Sequence, residues 1–78
     1  MFMSSWTEVS DGYFSLEDDS WSLYLRIDDA GALLEVYEGA ILKTTTNWGP
    51  GVAARHGGAD WCKKQSLKVL EAEKKKGS

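Results

Sequence analysis

Cysteine and histidine occur once each in the 78 residues. A lone Cys62 can form neither an internal disulfide nor a multi-thiolate metal site, and nothing in its usage calls for an oxidising compartment. The opening Met1-Phe2-Met3-Ser4-Ser5 lacks the basic region and apolar stretch of a secretory signal, and no run approaches the roughly 20 apolar residues of a membrane span. A cytoplasmic protein with no membrane association is therefore expected. At this length a single domain is expected, with room for a core but not for an enclosed cleft.

Positive charge is scarce in the first half. Residues 1–40 hold nine acids against Arg26 alone, whereas residues 41–78 hold eight bases against Asp60, Glu71 and Glu73, so the net charge of −3 conceals two opposed fields. Such a division concerns what the chain attracts rather than how it folds. Four Trp, three Tyr and two Phe supply the large apolar side chains that a small core needs.

In the segment Trp21-Ser22-Leu23-Tyr24-Leu25-Arg26-Ile27, every second residue is apolar, the period of a half-buried strand. The turn formers Asp28-Asp29-Ala30-Gly31 follow, and closing a hairpin there sets Ile27 opposite Ala32, Leu25 opposite Leu34 and Leu23 opposite Val36. Working backwards, a turn at Asp18-Asp19 pairs Leu16 with Trp21, and one at Asp11-Gly12 pairs Val9 with Phe14. Forwards, a three-residue loop at Glu38-Gly39-Ala40 leads to a strand over 41–46, sends Leu42 to the core face and sets Lys43 opposite Glu35. Residues 47–58 are too rich in glycine for a regular element and read as a loop. Residues 59–75 have helix-forming composition, with Asp60 near the positive end and lysines near the negative end. Cys62, Ser66, Val69 and Leu70 form its apolar stripe. The expected fold is α+β: an antiparallel β-meander of four to five strands over 1–46, with one C-terminal helix packed on one face and a frayed tail at 76–78.

One helix covers one face of a sheet. The other face should carry Trp6, Tyr13, Tyr24 and Tyr37 with Leu33, Glu8, Glu17, Arg26 and Glu35, a mixture of aromatic and charged groups suited to an interface. The competing structural role is cross-strand aromatic packing that steadies an exposed sheet.

Other chemistry has little support. Asp18-Asp19 and Asp28-Asp29 fall in turns, where Asp bonds the local backbone, and the spaced oxygen ligands of a calcium loop are missing. Cys62 and His56 lack a third group to orient them as a nucleophile and base, so Cys62 reads as a small core residue and His56 as an exposed loop residue. The glycines before the helix lack the Gly-Lys-Ser/Thr ending of a phosphate loop. No cofactor, no metal and no enzymatic activity are expected. Trp48, Arg55 and His56 give the loop stacking and hydrogen-bonding capacity.

The order of short antiparallel strands, a Gly-rich connection and a C-terminal helix, with segments such as Trp21-Ser22-Leu23-Tyr24-Leu25-Arg26-Ile27-Asp28-Asp29-Ala30-Gly31, resembles small phage and mobile-element inhibitor proteins of the anti-CRISPR type. That resemblance implies a non-catalytic acidic surface occupying a site meant for nucleic acid, and for a phage-encoded chain a place in the host cytoplasm. It carries no binding residue with it. The expected function is a small interaction or inhibitor protein that engages a basic protein surface through Trp6, Tyr13, Asp18, Asp19, Tyr24, Asp28, Asp29, Glu35, Tyr37 and Trp48. A homodimer through the same face is an alternative use. The competing function is a nucleic-acid-binding module in which Lys43, Arg55 and the helix lysines meet phosphates while aromatic rings stack on bases.

Overall fold

The alternation of apolar and polar residues produces five strands in the computed structural model, which describes residues 6–76: β1 (Thr7–Ser10), β2 (Tyr13–Asp18), β3 (Trp21–Asp28), β4 (Gly31–Glu38) and β5 (Ile41–Trp48). Helices α1 (Pro50–Arg55) and α2 (Ala59–Lys76) follow. The strands lie side by side in chain order and every neighbouring pair is antiparallel, so the sheet is a five-stranded meander. The expected meander over 1–46 thus extends to Trp48. Its first residues, 1–5, and the end of the expected tail, 77–78, lie outside the described residues.

The β3–β4 hairpin pairs Ile27 with Ala32, Leu25 with Leu34 and Leu23 with Val36, as the apolar pattern requires. Asp28 Oδ1 accepts the Ala30 N–H at 2.9 Å and closes the turn. Between β2 and β3 the partners are Leu16 with Leu23 and Phe14 with Leu25, two residues from the expected register. A two-residue shift keeps every side chain on its face, so the core assignment survives. Asp19 takes a left-handed φ of 58°, which a short Asp tolerates and which allows the tighter turn.

Two edges differ from the sequence reading. In β1 the pairs are Thr7 with Ser15 and Glu8 with Phe14, with Val9 left as a bulge, so the strand is turned over relative to the expected register. Trp6 accordingly packs against the core instead of standing on the uncovered face, and Val9 is exposed. In β5, Glu38 pairs with Ile41 and Tyr37 with Leu42, after which Lys43 bulges out and Thr44 meets Val36. Leu42 therefore stands beside Tyr37 on the uncovered face, and Lys43 reaches Glu38 at 3.6 Å rather than lying opposite Glu35.

The expected loop at 47–58 is also corrected. Its first two residues extend the sheet, and Pro50–Arg55 is a short helix. Proline suits a first helical position, because its missing N–H would have had no partner there. The Val52 N–H meets Gly49 O at 3.1 Å and the His56 N–H meets Val52 O at 3.3 Å. Gly57, at φ 113°, then ends the turn.

Helix α2 closes one face. Cys62, Ser66 and Leu70 are buried with Leu16, Trp21, Leu23, Leu25, Ala32, Leu34 and Val36. Trp61, Val69 and Trp48 pack at the margin of this core. Ser66 Oγ donates to Cys62 O at 2.7 Å, which satisfies a fully buried polar side chain. Lys63 Nζ sits 4.2 Å from the Phe14 ring centroid, so a charged side chain shields the core's edge through a cation–π contact. No helix among the described residues is long and apolar enough to cross a membrane.

Candidate protein-binding face

The same alternation that buries Leu23 and Leu25 sends Tyr24 and Arg26 to the other side of β3. The registers place Tyr13 opposite Arg26, Tyr24 opposite both Ser15 and Glu35, and Tyr37 opposite Ser22. Tyr13, Tyr24 and Tyr37 are consequently diagonal neighbours on three adjacent strands, a spacing that aromatic side chains can bridge. Their rings do so. Tyr13 and Tyr24 are offset-stacked with centroids 6.5 Å apart, and Tyr24 meets Tyr37 edge to face at 5.6 Å and 81°. The Arg26 guanidinium lies 5.3 Å from the Tyr13 centroid, which extends the row with a cation.

Around these rings lies an open pocket of about 420 Å³ lined by Tyr13, Tyr24, Glu35, Tyr37, Gly39 and Ala40. Glu35 and the three tyrosines are each half-buried, so they keep a surface toward solvent. Leu42, 47% exposed, adds apolar area beside Tyr37. Gly39 and Ala40 were expected in a three-residue loop with Glu38 and not at the site, whereas Glu38 pairs with Ile41 and leaves them as a two-residue turn. The signal was available, since a glycine at the first central position of a two-residue turn is a hairpin preference, and Gly39 has φ 62°. That turn brings small residues, rather than bulky ones, to the pocket's edge.

The remaining expected partner residues separate. Asp18 and Asp19 stand at one end of the sheet and Asp28 and Asp29 at the other, with the length of β3, roughly 23 Å at the usual rise per residue, between them. Asp18 is paired with Lys74 of α2. Asp19, Asp28 and Asp29 are exposed, with the Asp28 carboxylate engaged in its own turn. Trp48 stands at the end of β5, half-buried, and meets Trp61 edge to face at 5.8 Å, so its ring is given to packing instead of a free loop surface. Trp6 is likewise held against the core, where its Nε1 is buried without a hydrogen-bond partner.

Cys62 and His56 do not form a nucleophile and base. Cys62 is fully buried and burial raises its thiol pKa, the direction opposite to that of a reactive thiolate. His56 stacks on Trp61 with centroids 4.8 Å apart and planes at 18°. Among the described residues no group of three or more His, Cys, Asp or Glu side chains is placed to hold a metal ion. No protein-family model, curated protein or solved structure matches the chain.

Proposed function

We propose that this chain is a small non-enzymatic interaction protein whose uncovered sheet face engages a protein partner with a basic surface. The observation that carries the reading is the contact row Tyr13–Tyr24–Tyr37 across three strands, with Glu35 beside it and, among the described residues, no helix or strand laid over it. Tyrosines combine broad, rigid contact area with a polar end, which makes them frequent centres of binding energy. The acidic turns lie at the two ends of the sheet, where they raise the rate of encounter with a basic surface without needing to be buried in the contact. Inhibition through occupation of a nucleic-acid site is the narrower form of this proposal, supported by the acidic first half of the chain.

The test is affinity capture from the cells that carry the gene, with the parent chain and Tyr24→Ser/Tyr37→Ser as parallel baits. A partner held by the parent and lost by the double variant, then reproduced with purified protein, supports the reading. Equal retention by both baits places the interface elsewhere.

A further inference from the structure

We infer that the tyrosine pocket is a receptor for the ammonium end of a lysine side chain presented by the protein partner. The inference rests on the face proposed above and assigns the chemistry recognised at its centre. Three aromatic rings and one carboxylate converge there. The Tyr24 and Tyr37 planes meet at 81° and form a corner, Tyr13 stacks with Tyr24, and Glu35 stands directly across the strands from Tyr24. Ring faces carry the negative lobes of their quadrupoles, so rings set around a carboxylate make a site that attracts a cation more strongly than an uncharged group of the same shape.

The chain already uses this interaction on the same face. Arg26 lies over Tyr13 and is not among the residues that line the pocket between Tyr24 and Tyr37. Lysine suits it better than arginine. A planar guanidinium stacks flat on one ring, whereas a compact ammonium on a flexible apolar stem can touch both walls of a corner while reaching a single carboxylate. Gly39 and Ala40 supply the stem's entry, since neither carries a side chain large enough to close that edge.

Titration of the isotopically labelled full chain with N-acetyl-lysine methylamide, followed by NMR, tests the inference against N-acetyl-norleucine methylamide, which keeps the stem and lacks the ammonium. The lysine probe should give saturable shifts at Tyr13, Tyr24, Tyr37 and Glu35, with a Kd on the order of 1–10 mM for so small a ligand. The norleucine probe should bind at least about fivefold more weakly. Glu35→Gln and Tyr37→Leu, each checked for an unchanged backbone spectrum, should weaken the lysine probe by about fivefold or more while leaving the weak norleucine response unchanged. Equal binding of the two probes, or an unmoved Kd in Glu35→Gln, overturns the inference. Its failure is separable from that of the face itself. A captured partner lost by Tyr24→Ser and retained by Glu35→Gln rejects the lysine pocket and keeps the interface, whereas a partner retained by both rejects the interface.

Discussion

Lys74 Nζ donates to the Asp18 carboxylate, tying the C-terminal part of α2 to the end of β2 across 56 residues of sequence. The opposed fields of the two halves therefore meet at one end of the molecule. Both side chains are about a third exposed, at 37%, so solvent screens the pair. Asp18→Asn should lower stability by about 0.2–1 kcal/mol, and by less in high salt. Denaturant unfolding at low and high ionic strength checks this. A loss that does not shrink with added salt would show that the carboxylate acts through something other than the ion pair.

The two faces of β3 should respond differently to truncation. Leu25 is fully buried, and Leu25→Ala should cost about 2–5 kcal/mol through lost burial and the cavity left behind. Tyr24 is half-buried, and losing its ring contacts on both sides should make Tyr24→Ser cost about 1–3 kcal/mol, the scale of two lost aromatic pairs. Urea titrations of both variants give the order. If Tyr24→Ser proved the more destabilising, the tyrosine row would be primarily a structural element and the binding role would weaken with it.

The centre of the sheet was legible because period-two alternation on β3 and β4 is mutually consistent, and closing the hairpin at the turn formers Asp28-Asp29-Ala30-Gly31 makes every core pair apolar. The β2–β3 error of two residues did no harm to the faces, since it preserves the alternation. At β1 a single extra residue, Val9, reversed the strand, and the same lack of redundancy at an edge hid it: β1 has one neighbour and four residues. Lys43 is the corresponding bulge in β5, where Thr44, Thr45 and Thr46 read alike on either face and give no pattern to fix the register. Helix α1 was hidden by the glycines around it, although Pro50 and the run Val52-Ala53-Ala54-Arg55 supply a start and a body. The tyrosines of the candidate site were visible as outward-facing residues of strands. Their assembly into a pocket with Gly39 and Ala40 depends on the exact length of a turn, which alternation does not report.

Gly31 begins β4 at φ 125°, where a side chain is strained, and a Cβ there would come within 2.3 Å of the Trp48 carbonyl oxygen. Backbone cannot yield as a flexible side chain does. Gly39 also has positive φ, but a Cβ on it would meet nothing within 4 Å. Gly39→Ala should cost about 1–2 kcal/mol from backbone conformation alone. Gly31→Ala should cost more by at least about 1 kcal/mol, because overpacking is added to that strain. Thermal melting of the pair, with near-ultraviolet circular dichroism to follow the Trp48–Trp61 contact, checks the difference. Equal melting temperatures would mean that the β4–β5 end relaxes without resistance.

Cys62 offers the titration that can be followed most directly. Burial raises its thiol pKa above the ordinary value of 9.0, so the folded state holds this proton to a higher pH than the unfolded chain does. Between the two values the unfolded state binds fewer protons than the folded state, and stability must fall as pH rises. The contribution is fully present below the unfolded value and is lost as pH climbs through the folded one. Cys62→Ala removes this alkaline slope while costing stability at neutral pH through lost packing at a fully buried site. Unfolding free energies of parent and variant measured from pH 7 to 10 should therefore converge as pH rises. In the parent, labelling by a thiol-specific disulfide reagent at neutral pH should be slow and should accelerate with urea in step with opening of the core. Rapid labelling without denaturant, or parallel pH profiles for parent and Cys62→Ala, would place the thiol at a solvent-reached surface and remove it from the contact between α2 and the sheet.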